Sequence, residues 1–290
     1  MPATHGQLTT PDRVRLSYET VGDGRQTVFV PNGFYLRDDF QSLARRRRLV
    51  FYDPRNRGRS ETVAEPAKLQ RGILNDVDDL EALRRHVGAR KIALIGHSYM
   101  GLGVVLYARS HPAHVERIVQ IGAMPPDHTK QYPPELMAVD DTARSVFAKL
   151  GELQKERGAY DRRDFCRRFW SVLAALYVAD PADAGRITWG HCDLANERDF
   201  LAYWTAHLFP SLRALALTRG TLARVTVPVL TIHGRQDRSA PYGGALDWTA
   251  LLPSARLLTV EDAGHAPWIE QPAKVFRAID AFLAGRWPVR

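Results

Sequence analysis

One stretch constrains what this chain can fold into more than any other: Lys91 to Gly103, reading Lys-Ile-Ala-Leu-Ile-Gly-His-Ser-Tyr-Met-Gly-Leu-Gly. Ile92 to Ile95 form a short apolar run with β-branched ends, the pattern of a strand buried on both faces, and Leu102 to Ala108 resume with helical spacing. Ser98 therefore falls on a strand-to-helix turn. A turn so sharp forces the serine backbone into a strained conformation, lifts its hydroxyl out of the sheet and aims the first amides of the next helix at the same point. That is the geometry a nucleophile needs. The same residues also read as an ordinary tight turn whose serine caps the helix, so partners elsewhere in the chain decide between the two.

The length and composition suit such a fold. A chain of 290 residues with 45% hydrophobic content can bury a sizeable core, and α/β proteins of this length often form one domain. The formal net charge of +8 raises the question of an anionic partner. Its arginines are interleaved with acids, as in Asp161-Arg162-Arg163-Asp164, and the one dense run, Arg45 to Arg48, reads as a solvated helix end. A nucleic-acid partner is not expected. Cys166 and Cys192 are expected to be buried free thiols, since a chain this large does not depend on a disulfide staple. The first residues show no basic region followed by an apolar segment, and no apolar run reaches the roughly 18 residues of a membrane helix. A cytoplasmic protein with no membrane partner is the expectation.

Taken in order, Val14 to Tyr18 alternate apolar and polar residues, Gly22 to Gly24 turn, and Val28 to Val30 follow as a hairpin-like partner. A short helix is predicted over Asp38 to Ala44, a strand over Leu49 to Tyr52 and an amphipathic helix over Asn75 to Val87. After the Ser98 turn comes a strand over Val115 to Ile121. The strand–helix rhythm then stops until about Leu222, where aromatic-rich helices intervene, most of them read as packing. Val227 to Ile232 resume as a strand, Leu246 to Leu252 as a helix, Ala255 to Val260 as a strand and Val275 to Leu283 as a closing helix. Alternation of this kind predicts a parallel sheet.

The partners of Ser98 lie past the last two strands, in His233-Gly234-Arg235-Gln236-Asp237-Arg238 and in Glu261-Asp262-Ala263-Gly264-His265-Ala266-Pro267-Trp268. Catalytic groups of open α/β sheets gather at the carboxyl ends of strands. Ser98, Asp237 and His265 each follow such an end, in the chain order Ser, Asp, His. With these residues the sequence resembles the α/β-hydrolase superfamily, in the broad group of small esterases, lactonases, carbon–carbon bond hydrolases and aminopeptidases. The resemblance runs from Val28-Phe29-Val30-Pro31-Asn32-Gly33-Phe34 through Asp53 to Ser60, the Ser98 turn and the Asp237 loop to Glu270-Gln271-Pro272.

The resemblance implies an α/β fold with a mostly parallel eight-stranded sheet, helices on both faces and a helical cap inserted after the sixth strand. It divides the chain into a first core part (1–123), a lid (124–222) and a second core part (223–290). It makes Ser98 the nucleophile, His265 the base and later acid, and Asp237 the group that orients the imidazole and stabilises its cation. The oxyanion hole would use the amides of Phe34 and Tyr99. Tyr35, His97 and Trp268 are candidate pocket walls, with packing as the plainer reading. Glu261 or Asp262 could orient His265 instead of Asp237, although a solvated strand end fits them as well. His97 and His233 also read as hydrogen-bonded structural histidines, and Asp53, Arg55 and Ser60 as a loop that braces the sheet edge. No metal-ligand cluster and no phosphate loop stands in the sequence, so neither metal nor cofactor is expected.

Three positions depart from the family pattern. Met100 replaces a small residue two places after Ser98, Asn32 stands where histidine is common, and Asn56 replaces a glycine, a change that asparagine tolerates because it adopts left-handed backbone angles more easily than most residues. The leading expectation is a cofactor-independent serine hydrolase for a small to medium, largely apolar ester or lactone. Two others stand beside it: a biosynthetic enzyme using the same triad for acyl transfer, ring closure or methyl-ester removal, and a ligand-binding protein with little or no turnover.

Overall fold

The structure, a computed structural model, describes residues 3–189, 192, 194 and 197–288. Among the described residues eight strands form one sheet: β1 (Ala3–Thr9), β2 (Arg15–Val21), β3 (Gln26–Pro31), β4 (Arg47–Tyr52), β5 (Ile92–His97), β6 (Val115–Ile121), β7 (Val229–Gly234) and β8 (Ala255–Val260). Their spatial order is β1-β2-β4-β3-β5-β6-β7-β8. β1 and β2 pair antiparallel, β2 meets β4 antiparallel, and every later pairing is parallel. The expected hairpin of 14–18 with 28–30 is therefore corrected. The partner of β2 on one side is β1, and β3 lies beyond β4.

Alternate residues of the central strands enter two separate apolar layers. Phe29, Val50, Ile92 and Leu94 face one of them, with α2 (Ile73–His86) and α3 (Tyr99–Ser110). Val28, Val30, Leu49, Phe51, Ala93 and Ile95 face the other, with α1 (Gly33–Phe40) and residues 275–283. A strand covered on both faces needs apolar residues at every position, which is why these strands read as unbroken apolar runs. In the basic run Arg45 and Arg46 are exposed, as expected of a solvated helix end, whereas Arg47 is buried and Arg48 half-buried. Arg47 opens β4, and its guanidinium donates to Asp280 Oδ1 at 2.7 Å and to the Leu43 carbonyl at 3.4 Å.

Between β6 and β7 the chain leaves the sheet for α4 (Asp141–Lys155), α5 (Arg162–Tyr177), α6 (Glu197–Tyr203), α7 (Phe209–Arg213) and α8 (Arg219–Leu222). Asp140 and Asp161 cap α4 and α5 by accepting from the amides of Ala143 at 2.8 Å and Asp164 at 2.7 Å. Cys166 and Cys192 are not free thiols but are joined in a disulfide, with their Cα atoms 5.6 Å apart. The chain leaves α5, turns through Pro181–Arg186 and comes back past Trp189, which brings two buried sulfurs together across 26 residues. The chain then continues as α9 (Tyr242–Leu251), α10 (Pro267–Glu270) and α11 (Pro272–Leu283). Among the described residues no helix is long and apolar enough to cross a membrane.

Candidate active site

Ser98 follows β5 directly and has φ 58° and ψ −128°, outside the regions that a residue with a side chain adopts at ease. Backbone bonds hold it there: its amide donates to the Ile121 carbonyl at 3.0 Å, and its carbonyl accepts from Gly101 at 2.9 Å and Met124 at 3.2 Å. The turn closes only because Gly96 lacks a side chain, since a Cβ there would collide with the Met100 carbonyl. Met100 itself is buried against Gly103, which leaves room for the long side chain at this position of the turn.

Asp237 follows β7 and His265 follows β8, so both lie on the same edge of the sheet as Ser98. His265 Nδ1 and Asp237 Oδ2 are 2.8 Å apart. The His233 Nε2 lies 3.1 Å from the same oxygen, and Asp237 Oδ1 accepts from the amides of Ser239 at 2.8 Å and Ala240 at 2.7 Å. Burial by itself would favour a neutral Asp237. The opposing pull of His265 and His233 outweighs it and holds the carboxyl well below the ordinary carboxylate range. Glu261 and Asp262 are solvent-exposed, and the acid bonded to His265 is Asp237. His265 Nε2 is buried and has no hydrogen-bond partner, so the Ser98 hydroxyl is not bonded to it in this conformation.

Ser98 opens onto a cavity of about 290 Å³. Tyr35, Arg57, Tyr99 and Ser239 form its sheet-side wall, and Met124 adds to it from the chain just past β6. The helical segment after β6 supplies Phe147, Leu150, Phe169, Trp170, Leu173, Leu176, Tyr177, Phe200, Leu201 and Trp204. Among the described lining residues Arg57 is the only charged one, and its guanidinium stacks 3.9 Å from the Phe200 ring centroid and 4.6 Å from that of Phe34.

A model of the α/β-hydrolase fold family matches residues 35–272. The chain belongs to that family. It is 28% identical to a non-heme chloroperoxidase of Streptomyces lividans over 96% of this chain and 99% of that one. It is also 32% identical to a pimeloyl-[acyl-carrier protein] methyl ester esterase of Aromatoleum aromaticum over 66% of this chain and 73% of the relative. A serine hydrolase of Cycloclasticus zankles superposes with a TM-score of 0.75 at 15% identity, covering 98% of this chain and 99% of the other, which is a likeness of fold.

Other expectations for this α/β-hydrolase need correcting. The Phe34 amide is not free to meet an oxyanion in the cavity: it donates to Asp53 Oδ1 at 2.7 Å, while the next amides of α1, those of Tyr35 and Leu36, donate to the Asn32 carbonyl. Burial pushes the Asp53 carboxyl up to about 6, against the opposing bonds from the amides of Arg59 and Phe34. Tyr99 is the first residue of α3, which puts its amide at the positive end of that helix. Tyr35 lines the cavity, whereas His97 and Trp268 are buried behind its wall, with their rings 4.8 Å apart. Asn56 has φ 62°, the left-handed conformation that asparagine was expected to tolerate.

Several residues that hold the site together carry no motif. Asp39 Oδ2 accepts from the indoles of Trp189 at 3.0 Å and Trp268 at 2.8 Å, joining the segment after β6 to the loop that bears His265. Arg238, next to Asp237, donates to Asp140 Oδ2 at 2.8 Å and to the carbonyls of Val178 at 2.6 Å and Ala179 at 2.8 Å. Tyr177 sets its ring edge-on to His265 at 4.7 Å, and its carbonyl accepts from the Ala266 amide at 2.8 Å.

Proposed function

We propose that this α/β-hydrolase is a cofactor-independent serine esterase in which Ser98 attacks, His265 removes and returns the proton, and Asp237 holds the imidazole. One observation carries the reading. A strained serine opens onto an apolar cavity, and a nearby histidine has one nitrogen on a buried carboxylate and the other without a partner. A serine hydroxyl is a poor nucleophile until a base takes its proton, and an imidazole tied to an ionised carboxylate is such a base. The attack forms a bond from Ser98 Oγ to the ester carbonyl carbon, the alcohol leaves with the proton from His265, and water then releases the acid by the reverse route. The Tyr99 amide at the start of α3 is the proposed donor to the developing oxyanion.

Residues 124–222 act as the lid in this reading. Their aromatic and aliphatic side chains make a pocket that suits a small to medium apolar acyl or alcohol group better than a charged one. The methyl ester esterase among the relatives favours a narrower version, removal of a methyl group from the ester of a longer acyl chain. Steady-state kinetics on p-nitrophenyl esters of increasing chain length, beside methyl esters of the matching acids, test both. The reading expects hydrolysis by the parent and a fall in kcat on the order of 10⁶ in Ser98→Ala. Parental activity in that variant would sink it.

A further inference from the structure

The hydrogen bonds around His97 can run in only one direction. His97 Nε2 lies 3.1 Å from the His265 backbone carbonyl, and a carbonyl only accepts, so Nε2 carries the proton. A neutral imidazole protonated there has an acceptor at Nδ1. The Tyr35 hydroxyl, 2.8 Å from Nδ1, therefore donates to it. With that proton committed, the Tyr35 oxygen accepts from Asn32 Nδ2 at 3.4 Å, and Asn32 Oδ1 accepts from the Tyr99 hydroxyl at 3.5 Å. All four side chains are buried, His97 and Asn32 completely, while Tyr35 and Tyr99 also line the cavity.

We propose that His97 is a positioning residue: the relay from Tyr99 through Asn32 and Tyr35 locks the proton on His97 Nε2, which grips the His265 carbonyl and sets the imidazole relative to Ser98. The proposal rests on the reading of His265 as the base. His97 ends β5 and directly precedes Ser98, whereas His265 follows β8 at the far side of β6 and β7. One side chain thus joins the backbone that carries the serine to the backbone that carries its base. The two imidazoles pack with centroids 4.5 Å apart. His265 becomes a cation during the proposed reaction, so its neighbour has to stay neutral. Burial first, and then the charge of His265, keep the His97 imidazole well below its ordinary value. Asn32, which departs from the family pattern, enters the relay with φ 64° and ψ 44°.

A histidine that merely fills space is replaceable by an apolar side chain of similar volume, and a positioning histidine is not. The test compares the parent with His97→Leu, His97→Gln, whose amide can keep a donor near the Nε2 position, and Tyr35→Phe, which removes the donor to Nδ1. Three quantities are read: the second-order rate of inactivation by a fluorophosphonate, kcat and KM on one ester, and the downfield proton resonance of the His265–Asp237 hydrogen bond. His97→Leu is expected to react about 100-fold more slowly with KM little changed, the scale of a misplaced reacting group. Its downfield resonance is expected to shift or broaden, and His97→Gln to recover most of the rate. Tyr35→Phe should disturb the same resonance, which keeps the idea testable if His97→Leu does not fold. A reactive parent whose His97→Leu and Tyr35→Phe variants keep the parental rate and resonance would overturn the relay alone. A folded parent that takes no label overturns the relay together with the reading of Ser98.

Discussion

The two walls of the Ser98 cavity are built on different physics. On the sheet side each candidate group is fixed by directional bonds: Ser98 by three backbone hydrogen bonds, Asp237 by two histidines and two amides, His265 by the carboxylate. The opposite side, the proposed lid, contributes mainly apolar surface from α4, α5 and α6. Its ties to the sheet side include the Asp39 indole pair and the Arg238 carbonyl clamp. Chemistry needs particular atoms at particular places, whereas an apolar wall needs only volume and lack of charge. The first wall should therefore break sharply on single substitutions, and the second should bend.

The largest contrast comes from Asp237→Asn. It keeps the shape of the loop but offers His265 the wrong partner, and kcat is expected to fall on the order of 10⁴-fold with KM nearly unchanged. A tenfold loss or less, measured on one ester, would mean that the sheet-side wall is as forgiving as the lid.

Removing the lid disulfide in the double variant Cys166→Ser, Cys192→Ser should act on stability instead. A closed loop of this length stabilises by about 3 kcal/mol in the chain-entropy account. The loss should appear in denaturant unfolding and in a raised KM, because Trp170, Leu173, Leu176 and Tyr177 lie within the loop and line the cavity. An unaltered midpoint would show that packing alone holds that wall.

Asp53 gives the pH dependence of the sheet side. Its folded-state value of about 6 exceeds the ordinary 3.8, so the folded chain holds a proton that the unfolded chain has lost. The stability this provides is present below the lower value and falls away as pH rises through the upper one. A shift of about 2 units corresponds to roughly 3 kcal/mol. The stability of the parent relative to Asp53→Asn should fall by an amount of that order between pH 4 and pH 7, and a flat difference in urea unfolding would contradict it.

The smallest effect belongs to Asp39→Ala. Losing the shared acceptor of two indoles is expected to cost about 1–3 kcal/mol of local order, raising KM several-fold while kcat stays within a factor of a few. A large fall in kcat with KM fixed would place Asp39 with the sheet-side machinery.

The same contrast explains what could be read from the chain. Ser98, Asp237 and His265 were legible because each follows an apolar strand and carries local turn chemistry, so their convergence on one sheet edge followed from topology. β1 was invisible: it is an edge strand that pairs through its backbone, and its side chains are mostly exposed and unpatterned. Asp39 was illegible because its partners lie 150 and 229 residues away. The direction of the Phe34 amide depends on where Asp53 falls after folding, which no local pattern records. The cysteine pair was misread for a similar reason, since the return of the chain past Trp189 is a tertiary event.

The central claim is that Ser98 is an activated nucleophile. It is tested most directly by intact-protein mass spectrometry after exposure to a fluorophosphonate, with Ser98→Ala in parallel. The account predicts one adduct on the parent and none on the variant. An adduct on Ser98→Ala, or no adduct on a folded parent whose cavity admits the probe, would contradict it.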